Sequence, residues 1–212
     1  METVPGYPAT YSVDYPDRNL DRLSTFFRIF AAIPICIVIA GLAGFSVPSG
    51  FGLEARQTAQ YTSVGAVILP ALLMILFRQK YPRWWFDWNL AFTRFSSRVD
   101  VYLMLLRDEY PSTDEEQSVH IDLVYPDAKK DLNRWLPLVK WFLAIPHIFI
   151  LLWLFLAAVF CVVVAWFAIL FTRRYPRSLF DFIVGVNRWG LRVSAYAFLL
   201  ITDRYPPFSL DA

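Results

Sequence analysis

Two stretches of the chain carry the same four charges in the same order. In "QKYPRWWFDWNLAFTRFSSRV", residues 79–99, they are Arg83, Asp87, Arg94 and Arg98; in "RRYPRSLFDFIVGVNRWGLRV", residues 173–193, they are Arg177, Asp181, Arg188 and Arg192. At about 100° per residue, each set falls within roughly 60° of a helix circumference, opposite Trp85, Trp88, Phe92, Phe95 and Val99 or Leu179, Phe182, Val186, Trp189 and Val193. A guanidinium presents a planar fork of donors that fits phosphate and carboxylate alike, so two chemistries are open. In one, Arg83, Arg94, Arg98, Arg177, Arg188 and Arg192 bind anionic lipid headgroups from helices lying in the membrane interface. In the other, Asp87 and Asp181 pair with the arginines four residues before them and brace the fold. Each aspartate so placed suits a permanently ionised partner better than a proton-transfer group. Helices that instead crossed the bilayer would put two arginines and an aspartate near mid-depth at about 2.5–3.5 kcal/mol each, which favours the interface.

His147 is the other candidate, an ionisable side chain within an apolar run. Bis-histidine haem ligation needs a second intramembrane imidazole, and His120 sits in a polar linker, so a hydrogen-bonded structural histidine is expected. No nucleophile with its base, phosphate-binding glycine loop or zinc spacing is present in the sequence. The expectation is a protein without enzymatic activity, cofactor or metal. Cys36 and Cys161 both fall in apolar runs, where a thiol acts as a small hydrophobe.

The elements that hold these residues are membrane elements. Hydrophobic residues make up 57% of the chain against 18% charged, on the apolar side of ordinary soluble domains. The net charge of +2 gives no field to gather nucleic acid. No charge interrupts 29–47 or 57–77, each long enough for the roughly 30 Å of hydrocarbon, and the loop Ser46–Thr62 between them carries Glu54 and Arg56. The run Trp141–Phe171 is also uncharged, and as one helix it would overreach the bilayer core. It is therefore expected to fold, within 135–171, as a tight hairpin of two short spans. The N-terminus lacks the pattern of a removable signal peptide.

The chain also repeats itself. "AAIP" at Ala31 recurs as "LAIP" at Leu143, "KYPR" at Lys80 as "RYPR" at Arg174, "DYPD" at Asp14 as "VYPD" at Val124, and "LLRDEYP" at Leu105 as "LLITDRYP" at Leu199. The unit is roughly a hundred residues, present twice, which divides the chain into 1–111 and 112–212. The fold class expected is an all-α integral membrane protein of two tandem repeats, each a transmembrane helical hairpin followed by an amphipathic interfacial helix. Alternation at Tyr11 and Val13, and at Val119, Ile121 and Leu123, adds two short cytoplasmic strands. Of twenty Lys and Arg residues only Arg56 lies at a hairpin tip, which places both termini in the cytoplasm.

The phrases "WLPLVKWFLAIPHIFIL", "ILFTRRYPRSLFDFIVGVNRWGLRVSAYAFLL" and "TDRYPPFSL" resemble a bacterial membrane-protein family catalogued as domain of unknown function 4389. The likeness covers Val124–Leu210 well and the first half more loosely, with Ile35 where the second half has His147. It implies a multi-pass protein of the bacterial inner membrane and brings no reaction, ligand or catalytic residue. The function expected is a non-catalytic scaffold or accessory subunit of a membrane complex, partnered by membrane lipids and other membrane subunits. A small-molecule or lipid transporter built from duplicated repeats is the alternative.

Overall fold

The computed structural model describes residues 6–16, 19–42, 71–113 and 115–211. The elements are β1 (Ala9–Val13), α1 (Arg22–Leu42), α2 (Arg83–Leu103), β2 (Val119–Leu123), α3 (Lys140–Thr172) and α4 (Arg177–Ala197), so the fold is mostly helical with one two-stranded sheet. The end of the first expected span (43–47), the loop Ser46–Thr62 with Glu54 and Arg56, and the second span as far as residue 70 lie outside the described residues.

The expected tight hairpin is instead a single helix, α3, of 33 residues. Between His147 and Phe171 there is no Gly, Pro, Asn or Asp to turn the chain, and an uninterrupted helix satisfies every backbone group internally. One edge of this helix packs on protein from end to end. Lys140, Ala144, His147, Ala158, Ala165 and Ile169 are buried, with half-buried Leu151 and Leu154 between them. Steps of three and four residues align these on one stripe. Away from that stripe the helix is exposed: 11% of its most apolar stretch is buried. Among the described residues α3 is the one unbent helix long and apolar enough to cross a membrane. Helix α1 bends by 53° between Arg22–Arg28 and Phe30–Ile39, where Pro34 removes the hydrogen bond to the Phe30 carbonyl.

The strands alternate as their sequences require. Ala9, Tyr11 and Val13, and Val119, Ile121 and Leu123, face inward, and the polar residues between them face out. They pair antiparallel, with Tyr11 opposite Ile121 at the centre. Two strands alone are marginal in water, and here helices back them: β1 packs on α4 and β2 on α2. Helices α2 and α4 each start immediately after a proline, Pro82 or Pro176, held extended at the N-cap. Beyond their C-termini, Leu105 and Leu200 take left-handed backbone at φ 63° and 56°, a conformation that burial of both side chains supports. Helix α4 is the central element, with α3 on one side and β1 on another. The C-terminal tail closes a further side, since a Cβ on Gly185 would lie 2.9 Å from that of Leu210.

Candidate functional site

The arginine stripes divide by position. Near the middle of each helix, Arg94 Nε donates to the Ile121 carbonyl and Arg188 Nε to the Tyr11 carbonyl, both at 3.0 Å. These acceptors are the central, mutually paired residues of the two strands. Arg94 also pairs with Asp122 at 3.1 Å, and Arg188 also donates to the Leu210 carbonyl at 3.0 Å. One turn further on, Arg98 donates to the Ser112 carbonyl at 2.7 Å, and Arg192 to the Ser209 and Asp211 carbonyls of the tail. Burial, and then the neighbouring Arg188, lowers the Arg192 pKa from its ordinary value. At the helix starts, Arg83 and Arg177 lie 3.8 and 3.7 Å from Asp87 and Asp181, with side chains 72% and 69% exposed. Each guanidinium lies over a tyrosine ring, Tyr125 at 4.7 Å or Tyr15 at 4.5 Å. Those tyrosines donate to the Tyr81 and Tyr175 carbonyls.

Sequence reasoning missed two buried cations. Arg28 on α1 donates to the Tyr102 and Arg107 carbonyls at 3.1 and 2.8 Å and pairs with Asp108. Lys140 at the start of α3 donates to the Thr202 carbonyl and pairs with Asp203, both at 2.7 Å. Each cation also lies over a tyrosine, Tyr102 or Tyr196. The signal was available, because the offset that aligns "AAIP" with "LAIP" also aligns Arg28 with Lys140.

His147 is fully buried and accepts a hydrogen bond at Nδ1 from Trp189 Nε1 at 3.1 Å. The ring proton is therefore on Nε2, which has no hydrogen-bond partner among the described residues. The imidazole stacks on Phe208 with centroids 3.9 Å apart. Among the described residues no group of three His, Cys, Asp or Glu side chains could hold a metal ion.

Helices α3 and α4, the Lys140 pair and this aromatic cluster are one continuous segment of chain. Residues 135–209 match the family described as Domain of unknown function (DUF4389). No curated protein and no solved structure matches the chain. The DUF4389 segment thus contains Lys140, His147, Trp189, Asp203 and Phe208, whereas α1 and α2 precede it.

A cavity of about 420 Å³ lies where the DUF4389 segment meets α2. Asn89, Thr93, Ser96, Ser97 and Asp100 of α2 line it with Asn187, Gly190 and Ser194 of α4, and Leu151 and Phe155 of α3 and Tyr11 of β1 are among the rest of its walls. The Asp100 carboxyl is accessible at the cavity wall and has no hydrogen bond or ion pair among the described residues. The protein around it pushes its pKa up to about 6 by desolvation. Desolvation likewise raises the pKa of the Tyr11 hydroxyl.

Proposed function

We propose that the protein is a two-repeat, non-catalytic scaffold or accessory subunit of a membrane complex in the bacterial inner membrane, dividing at 1–111 and 112–212. Its polar layer and both termini face the cytoplasm, and lipids and other membrane subunits are its partners. Support for the duplication comes from the matched pairs: Arg94 with Arg188 on the central strand residues, buried Arg28 with buried Lys140 on half-buried aspartates, Leu105 with Leu200 in left-handed backbone.

The observation that carries the membrane reading is the layering of α3, α4 and β1. Helix α3 is covered by protein along its whole length on one stripe and exposes Phe142, Phe149, Leu156, Val163 and Phe171 elsewhere. The other side of α4 bears β1, whose outward residues are polar. A helix standing across the bilayer would draw that polar layer into hydrocarbon, at several kcal/mol per unsatisfied polar group. Laid along the bilayer plane, α3 sinks its apolar flank into lipid while the strands stay in water. On this reading α3 does not cross the membrane. The exposed Arg83 and Arg177 are the arginines left for headgroups, whereas the other four hold backbone carbonyls.

Spin labels at residues 142, 149, 156, 163 and 171, in a chain with Cys36 and Cys161 replaced by Ala, test this in lipid vesicles. An in-plane α3 gives five similar depths. A profile that descends to the bilayer centre and rises again overturns the in-plane reading and revives the transporter, the second reading, which the cavity between α2 and α4 favours.

A further inference from the structure

Three of the polar side chains on the cavity, those of Asn89, Asn187 and Ser96, already have a donor in use. Asn89 Nδ2 donates to the Trp85 carbonyl at 2.7 Å, Asn187 Nδ2 to the Tyr11 hydroxyl at 3.4 Å, and Ser96 Oγ to the Phe92 carbonyl. The oxygens of Asn89, Asn187 and Ser96 remain as acceptors on the lining. To these the carboxylate of Asp100 adds a negative charge with no ion pair among the described residues. The four nearest arginines on α2 and α4, Arg94, Arg98, Arg188 and Arg192, are bound to backbone carbonyls elsewhere.

Gly190 is the independent observation. It lies in the interior of α4, where glycine is disfavoured against alanine by about 1 kcal/mol. A Cβ there would meet nothing within 4 Å, unlike Gly185, whose missing side chain makes room for Leu210. No packing contact calls for glycine at 190, and the open space beside it belongs to the cavity.

The geometry points to a binding site for a primary ammonium group with an apolar neighbour, held by Asp100 and the acceptors of Asn89, Ser96 and Asn187, its apolar part against Leu151 and Phe155. Three N–H donors and a positive charge complement a carboxylate among neutral acceptors, and a neutral or anionic group does not. A free amine and the ethanolamine headgroup of a lipid share this chemistry. The inference does not use the in-plane reading of α3, so a result against one leaves the other standing.

The test is calorimetric titration of the full chain in detergent with 2-phenylethylamine, using 2-phenylethanol as the uncharged counterpart. The amine binds saturably and the alcohol about tenfold or more weakly, the scale of a charge-assisted hydrogen bond. Asp100→Asn keeps the shape, removes the charge and abolishes the preference for the amine. Gly190→Leu fills the space and abolishes binding of both. Absence of saturable binding, equal binding of amine and alcohol, or an Asp100→Asn chain with full preference for the amine each overturns the site. Repeating the titration in phosphatidylcholine nanodiscs with and without phosphatidylethanolamine separates the sources. Weakening of the amine by phosphatidylethanolamine identifies the headgroup as occupant, and unchanged binding identifies a free amine.

Discussion

The corner around Arg28 and the corner around Lys140 are built on the same plan with different chemistry. In the first, Ala32, Ile35, Phe95, Val99 and Tyr102 form an apolar cluster beneath the guanidinium. In the second, Ala144, Trp189, Val193 and Tyr196 take the corresponding places, and His147 replaces Ile35 with its hydrogen bond to Trp189. An Ile–Phe contact and a His–Trp hydrogen bond thus serve one position, provided each partner matches the other. The cations follow their acceptors in the same way. Arg28 reaches two carbonyls, the Ser24 hydroxyl and Asp108 with its fork, while Lys140, a compact ammonium, meets one carbonyl and Asp203.

The comparison breaks most severely when a cation loses its carboxylate. Asp203→Ala leaves Lys140 buried with a single hydrogen-bond acceptor and a tyrosine face, at a cost of about 3–5 kcal/mol, the range for stranding a buried charge. Asp108→Ala is milder, because Arg28 keeps both carbonyls. Denaturant unfolding in detergent gives the order. Equal losses at the two corners would refute the idea that acceptor number sets the dependence.

A smaller effect sharpens the same contrast. Trp189→Phe leaves His147 Nδ1 buried without its donor and costs about 1–3 kcal/mol. Adding His147→Ile to that variant copies the Ile35–Phe95 pair of the first corner and removes the stranded polar atom. The double variant is therefore more stable than Trp189→Phe alone. A double variant less stable than the single would mean that packing against Phe208, rather than the hydrogen bond, is what His147 supplies.

Much of this was legible before any coordinates. The angular spacing of the arginines put them on one stripe, and the alternation at Tyr11, Val13, Val119 and Ile121 matches the strands that formed. What a stripe faces is not written in its period. Arg94 and Arg188 reach strand carbonyls only because β1 packs on α4 and β2 on α2, an exchange between distant parts of the chain. The hairpin expected at 135–171 rested on bilayer thickness, and the missing turn formers were the better guide. Nothing in the hydropathy of the sequence singles out Arg28 and Lys140, since a hydrophobic run hides whether the cation at its end points into water or into the fold. The cavity was beyond reach for the same reason: the facing of Asp100 and Gly190 depends on how α2, α3 and α4 meet.

The smallest expected effect on stability separates the two arginine classes. Arg83 and Arg177 are exposed and sit at the long limit of pairing with Asp87 and Asp181, so replacing both with Gln costs less than about 1 kcal/mol, as for other surface pairs. Their weight lies elsewhere if they meet phosphates. Each charge lost near an anionic surface forfeits about 1 kcal/mol of attraction, so the double variant co-purifies with less anionic lipid while its unfolding curve scarcely moves. Replacing Arg94 and Arg188 with Gln gives the reverse, since the strand carbonyls of Ile121 and Tyr11 lose their donors: stability falls and lipid retention holds among the chains that remain folded. Unchanged lipid in the Arg83 and Arg177 variant would remove the headgroup role from the last two exposed members of the stripes, leaving every arginine in them a brace.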